Sequence, residues 1–467
     1  MCDHTRAKGS TQFRSLFGSL VFDPELTLGQ VTSTKWIAEI VAQEVGKTCD
    51  RIFSPLVTLA LFLGQILSDD HSCRAVVARL LAWRAARDLP KCSPDSGGYC
   101  KARRRLPDSL LPRLVRESAE RHERRQSREW LFHSRRVVIA DGSTVSMPDT
   151  PANQRAFPQH SNQKRGCGFP IARIVVLLSL ATGSVLDAAI GASKGKLTGE
   201  HALLRSLHGR LKRGDIVLAD AYYSSFDAVM GLVQMGVDVV MRQTANRPTD
   251  FRQGTKLGRE DHLVEWRRHR NRWKWMSREA FVALPRVLQM RELRVRVDKP
   301  GFRTKEFVVV TSLLDAKVYS RDELEGLYRA RWHAELDIRS IKQTLRMDVL
   351  RCKTPAMVRK EIWAHLLVYN LIRGVMAEAA KRHDVIPRQL SLQGARQTLE
   401  AFRPELNRAP AEAASALRAA LLVAIAYHHV GDRPDRGEPR VVKRRPKAYP
   451  RMHVPRKLVR SRLKKAA

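Results

Sequence analysis

Three carboxylates in this chain have the residue types and surroundings that metal-assisted phosphoryl transfer requires. Two of them, Asp141 and Asp220, end near-identical apolar runs, Val137-Val-Ile-Ala-Asp141 and Ile216-Val-Leu-Ala-Asp220. Such runs read as short buried strands, and neighbouring strands ending at one edge would set both aspartates side by side. The third, Glu335, lies in Tyr328-Arg-Ala-Arg-Trp-His-Ala-Glu-Leu-Asp-Ile-Arg-Ser-Ile-Lys342. Wound as one helix at about 100° per residue, this stretch puts Tyr328, Arg331, Glu335 and Lys342 within an arc of roughly 60°. Breaking a phosphodiester needs an activated oxygen and a stabilised leaving oxygen, which two Mg2+ ions about 3.5–4 Å apart supply together. Mg2+ is hard and takes oxygen ligands, so carboxylates rather than His or Cys are expected to hold it. Asp141, Asp220 and Glu335 are therefore the candidate catalytic metal ligands, with Mn2+ able to replace Mg2+. Tyr328, Arg331 and Lys342 are candidate phosphate contacts. Each observation has a plainer reading. An aspartate after a strand is commonly a turn or cap residue, and Arg331 with Glu335 makes an ordinary i, i+4 ion pair.

The elements that must position these groups follow an α/β order. From Arg136 to about Gln243 the pattern gives a strand ending at Asp141, then two strands, Ile171 to Leu180 and Ser184 to Ile190, joined by a hairpin at Ala181-Thr-Gly183. A helix from Glu200 to Leu211, the strand ending at Asp220, a helix from Phe226 to Met235 and a strand at Val237-Asp-Val-Val240 follow. That order predicts a ribonuclease-H-like α/β core, a mixed sheet flanked by helices. Residues 250–315 break the pattern with β-type alternation, Leu293-Arg-Val-Arg-Val297 and Phe307-Val-Val-Val-Thr311, and read as a β-strand insertion. Helical pattern returns from Arg321 to about Arg382. The expected organisation is a helical N-terminal DNA-binding region at 1–125 and a core in two parts, 130–249 and 316–382, around the insertion at 250–315. A helical segment with a basic tail at 383–467 completes it. Within the first region Tyr99-Cys-Lys-Ala-Arg-Arg-Arg105 suits a recognition helix, making Tyr99, Lys101, Arg103 and Arg104 candidate DNA contacts; a solvated basic face explains the same residues equally well.

Charge selects the partner. The chain carries 84 Lys plus Arg against 47 Asp plus Glu, a net +37, which favours a polyanion and above all nucleic acid. No apolar run approaches the length of a membrane span, so no membrane partner is expected. Met1 to Ser10 lacks the apolar stretch of a signal peptide. The seven scattered cysteines show no paired Cys-x-x-Cys pattern, which disfavours structural zinc and fits a reduced cytoplasmic setting. Residues 433–467 hold 14 Lys or Arg against 2 acids and read as a mobile phosphate-binding tail. Trp266, Trp273 and Trp275 lie among arginines in the insertion, where an aromatic ring would suit base stacking. At least two of the three are expected in a small β core instead.

At these residues the chain resembles bacterial insertion-sequence transposases of the insertion sequence 4 type. Tyr328, Arg331, Glu335 and Lys342, separated by two, three and six residues, match that family's Tyr-Arg-Glu-Lys signature. Asp141-Gly-Ser-Thr144 and Asp220-Ala-Tyr-Tyr223 resemble the blocks around its two catalytic aspartates, and Tyr369-Asn-Leu-Ile-Arg373 is also similar. The resemblance runs from about Ile139 to Arg373, and more loosely from Arg51 onward. It implies metal-dependent cleavage at element ends, often through a DNA hairpin, and strand transfer into target DNA. The terminal inverted repeats and target DNA would be the partners, a homodimer in a synaptic complex the working form, and the bacterial cytoplasm, at the nucleoid, the location. A ribonuclease-H-fold nuclease without strand transfer and a catalytically silent DNA-binding regulator are the alternatives.

Overall fold

The computed structural model describes residues 35–46, 52–296, 306–430 and 452–466. Expectations that fall on other residues, including Val297 and the tail between 433 and 451, lie outside the described residues.

Helices come first along the chain: α1 (Lys35–Val45), α2 (Pro55–Leu67), α3 (Cys73–Ala85), α4 (Gly97–Arg105) and α5 (Leu110–Arg125). α2 starts where Pro55 fills the first turn and the Ser54 hydroxyl accepts from the Val57 N–H at 3.4 Å. The sheet region follows with β1 (Val137–Ser146), α6 (Pro151–Ala156), β2 (Ile171–Ser179), β3 (Val185–Ala192), α7 (Glu200–Ser206), β4 (Ile216–Ala219), α8 (Phe226–Val233) and β5 (Asp238–Arg242). β6 (Thr255–Gly258), β7 (Asp261–Arg267), α9 (Arg278–Ala283), β8 (Val287–Arg296) and β9 (Glu306–Thr311) fall in the stretch expected as an insertion. α10 (Arg321–Arg329), α11 (Trp332–Arg339), a π-helical turn (Ser340–Thr344), α12 (Pro355–Arg382), α13 (Leu392–Arg408), α14 (Ala411–Tyr427) and α15 (Arg456–Ala466) complete the described chain.

Among the described residues the nine strands form one mixed sheet in the order β3-β2-β1-β4-β5-β9-β8-β7-β6. β1, β4 and β5 run parallel, whereas β1-β2-β3 and β5-β9-β8-β7-β6 are antiparallel. The insertion therefore extends the same sheet. Alternation along β1 sends Val137 and Ile139 into one core and Val138 and Ala140 into the other. The first core holds α12 and most of the N-terminal helices, so α2 and α5 pack directly on α12. The second lies under α7 and α8 through Leu203, Leu204, Val229 and Leu232.

The single helical run expected from Arg321 to Arg382 is three separate pieces. Between α10 and α11 the N–H groups of Arg331, His333 and Ala334 bond carbonyls three residues back, a tightening that interrupts the α-helix. After Arg339 the turn widens to π geometry through Lys342, and an extended link follows before Pro355 starts α12.

Among the described residues no helix is long and apolar enough to cross a membrane.

Candidate active site

Sheet register brings the two aspartates together. β1 pairs with β4 over Val137↔Ile216, Val138↔Val217 and Ile139↔Leu218. Continued two residues, that register sets Asp141 level with Asp220, on the face shared by Ile139 and Leu218, with strands about 4.8 Å apart. β1 does not stop at Asp141, as its sequence suggests, but runs to Ser146 on the arm of β2. Only its pairing with β4 ends. Asp141 therefore stands at the split between two strands rather than at the start of a loop. Asp220 keeps extended backbone (φ −78°, ψ 179°) and also serves as a cap, its Oδ1 accepting from the Tyr222 N–H at 2.9 Å.

α11 covers that face, burying Ala334 in the same core as Ile139, and carries Glu335. Arg331, at the break before α11, donates to Glu335 Oε1 at 3.3 Å. Burial pushes the Asp141 carboxyl up to about 6, opposed by the Gly142 N–H and Arg331 and reinforced by the negative charges of Asp220 and Glu335. Asp220 and Glu335 thus both lie within electrostatic reach of Asp141. Burial works against the Arg331 charge, but Tyr328, Asp141 and Glu335 outweigh it and hold its pKa above the ordinary range. Among the described residues no three His, Cys, Asp or Glu side chains are drawn tightly enough together to grip a metal ion as they stand. Glu335 is turned to Arg331 instead.

The remaining signature residues take different places. In the π-helical turn, Lys342 reaches back to β1, its Nζ 3.0 Å from the Thr144 carbonyl and 3.3 Å from Ser143 Oγ. Tyr328 is buried, its ring 5.3 Å from that of Phe307, and burial raises its hydroxyl pKa. Arg331 lies 5.9 Å from its ring centroid. Within α4, Lys101 and Arg104 are exposed, whereas Tyr99 and Arg103 are buried. Both donate to Gln65 Oε1, at 2.9 and 3.2 Å, and Arg103 lies over the rings of Phe62 and Tyr99. That corrects their candidacy as DNA contacts: their polar atoms face inward because α2 supplies the partner. Trp266 is core, Trp273 stacks near Phe226, and Trp275 is exposed with Arg205 4.0 Å over its ring.

Two further groups escaped the sequence reading. Asp337, two residues past Glu335, is fully buried between the guanidinium groups of Arg373 and Arg388. Burial alone would raise its pKa, but Arg388 and Arg373 outweigh it and hold it below the usual range. The charged trio in an apolar core was hidden because its members are 36 and 51 residues apart. The second group is Glu200, whose signal was Gly142 inside an otherwise bulky strand. Glycine there marks close approach by another group.

The family described as Transposase DDE domain matches residues 132–371, which includes all three carboxylates. The chain belongs to the DDE transposase family. Transposase InsG for insertion sequence element IS4, from Escherichia coli strain K12, is 26% identical over 436 residues, covering 92% of this transposase and 94% of that protein. The transposase for insertion sequence element IS421 of Escherichia coli is 33% identical over 69 residues, 15% of this chain and 19% of that one. The solved piggyBac transposase synaptic complex with hairpin DNA aligns at a TM-score of 0.42 and 11% identity, over 88% of this chain and 84% of that chain. That likeness is too loose to carry an argument. The transposase is thus a DNA-processing enzyme of the DDE class, and its +37 charge suits that substrate.

Proposed function

We propose that this transposase cuts DNA at the ends of its own insertion sequence and joins the freed 3′ ends to target DNA, with Asp141, Asp220 and Glu335 as its metal ligands. The level placement of Asp141 and Asp220 on adjacent parallel strands, with Glu335 on the helix covering them, carries the reading. The donor set fits a hard divalent cation: every group is a carboxylate, and the Asp141 charge, disfavoured by burial first and by Asp220 and Glu335 after it, is one that a cation would stabilise. Two Mg2+ ions, or Mn2+ in their place, would supply an activated oxygen and a stabilised leaving group.

The protein's own contribution is placement. Arg331 and Lys342 flank the carboxylates with positive charge and are assigned to the phosphates beside the scissile bond, Arg331 held in place by Tyr328. The sheet order supports a ribonuclease-H-type core over 130–249 and 316–382, with 250–315 inserted. Lys101 and Arg104 remain as candidate DNA contacts in the helical region 1–125. A homodimer pairing two element ends is the proposed working form.

The test is Mg2+-dependent cleavage of plasmid DNA carrying the element ends, with capture of 3′ ends joined to a second DNA. Asp220→Asn keeps the shape but removes a ligand charge. Cleavage should collapse while end binding survives; equal loss of both would give Asp220 a structural role and sink the assignment.

A further inference from the structure

Gly142 directly follows Asp141, and alternation along β1 turns it to the opposite sheet face, towards α7. The carboxylate of Glu200, the first residue of α7, fills the space a side chain at 142 would need. A Cβ built on Gly142 would lie 2.7 Å from Glu200 Cδ and Oε2, and 3.1 Å from Oε1. Glycine at this position therefore lets a fourth carboxylate rest against the backbone of the strand that carries Asp141.

Glu200 has two side-chain neighbours there. The buried Tyr223, three residues past Asp220, donates its hydroxyl to Glu200 Oε2 at 3.2 Å. Arg173 on β2 approaches Oε1 only to 3.6 Å and spends a firmer hydrogen bond, 3.0 Å, on the Thr198 carbonyl. Glu200 side-chain exposure is 28%, so the carboxylate is partly open to solvent rather than sealed. Glu335 lies on the α11 side of the sheet and Glu200 on the α7 side, and the Tyr223 hydroxyl that bonds Glu200 also feels the charges of Asp141 and Asp220. A simple Arg173–Glu200 ion pair would need neither the glycine nor the Tyr223 hydroxyl.

We infer that Glu200 is a fourth carboxylate of the cation site, admitted by Gly142 and aimed by Tyr223, and that it accepts hydrogen bonds from the hydration shell of the divalent cation held by Asp141 and Asp220. The inference rests on the metal-ligand reading above. Mg2+ gives up its waters reluctantly, so a carboxylate one water removed still governs affinity. Outer partners of this kind are worth about 10–100-fold in metal affinity.

The test uses the full-length protein with Mn2+ as the probe, its affinity read by calorimetry or by electron paramagnetic resonance without DNA. Glu200→Gln should weaken Mn2+ binding about 10–100-fold and raise the half-saturating Mg2+ for cleavage by a similar factor. Cleavage should recover at high Mg2+, and the metal-free melting temperature should hold. Gly142→Ala, which pushes the carboxylate out of its slot, should weaken Mn2+ binding as well, and Gly142→Ala/Glu200→Gln should be no worse than Glu200→Gln alone. If Glu200→Gln proves unfolded, Glu200→Asp, which keeps the charge but withdraws it by one methylene, should show the same weakening. Mn2+ affinity and Mg2+ requirement within twofold of the parent in a folded Glu200 variant, with Asp220→Asn losing both, would overturn the role of Glu200 and leave the three-carboxylate reading intact. Parental Mn2+ binding by Asp220→Asn would overturn the underlying reading instead.

Discussion

Asp337→Asn tests whether the buried ion cluster on α11 fixes the helix that carries Glu335. Asp337 is fully buried on α11 and pairs with two buried guanidiniums, Arg373 from α12 and Arg388 from the turn preceding α13. The asparagine retains the volume but leaves both cations uncompensated. Removing one partner of a buried ion pair costs about 3–5 kcal/mol, because the remaining charge stays desolvated. Folding should weaken by that order, read as a lower urea midpoint with unchanged slope. The same substitution frees α11 to shift. A displacement near 1 Å costs on the order of 100-fold in rate, so cleavage should fall by that factor while end binding changes little. The triple replacement Asp337→Leu/Arg373→Met/Arg388→Met removes all three charges together and should recover much of the stability. A urea midpoint for Asp337→Asn equal to the parent, or loss of cleavage and binding in equal measure, would refute the reasoning.

Two further outcomes follow from the packing. α15 is docked rather than free: Arg456 donates to Asp149 Oδ2 at 3.1 Å and to the Gly168 carbonyl at 3.0 Å, and lies 3.8 Å over the Phe169 ring. Asp149→Ala should therefore raise amide exchange across 456–466, and deleting 441–467 should weaken binding to all DNA alike, lowering the log–log salt slope by about 0.9 for each phosphate no longer neutralised. Titrations on element ends and random DNA check this, and loss of discrimination at an unchanged slope would contradict it. Burial lowers the pKa of His122 to about 4 and that of His365 to about 3, from 6.5. Between pH 6.5 and 4 the unfolded chain binds these protons and the folded chain does not, so stability is full above pH 6.5 and falls as pH drops through that window. Each site is worth about 3 kcal/mol across the whole window and about 2 kcal/mol of it by pH 5, and urea midpoints at pH 7 and 5 should differ by that smaller amount per site, less so in His122→Gln.

The strands around the site were legible because each is a short apolar run with fixed alternation. β4 lies at Ile216–Ala219 as expected, and the hairpin of β2 and β3 turns at Ala181-Thr-Gly183. The corrected details depend on contacts between distant parts of the chain. Nothing near Arg103 in sequence shows that Gln65 and Cys73, 38 and 30 residues away, draw its guanidinium inward. The basic segment looked exposed because only local composition was visible. The 60° arc over residues 328–342 assumed one unbroken helix, whereas tertiary packing imposes a tight turn at Arg331 and a wide one at Lys342. Those two irregularities still leave Arg331 on Glu335 and Lys342 on β1, and π-helical turns recur at functional positions in helices. The helix is reshaped to fit the site.

The charge distribution gives this arrangement a further logic. A chain of +37 draws DNA from a distance, yet the proposed cleavage site is acidic, and on that reading an arriving phosphate meets three carboxylates. Arg331 is the cation set against them, acting on both Asp141 and Glu335. Arg331, even with Lys342 beside β1, cannot balance three carboxylates and an incoming phosphate. The buried Asp141, pushed up to about 6 by desolvation first and its neighbours second, records that deficit in the protein alone. Divalent cations that bridge carboxylate and phosphate oxygens would remove it. The basic surface is thus suited to recruit DNA, while chemistry at the acidic edge waits on the metal.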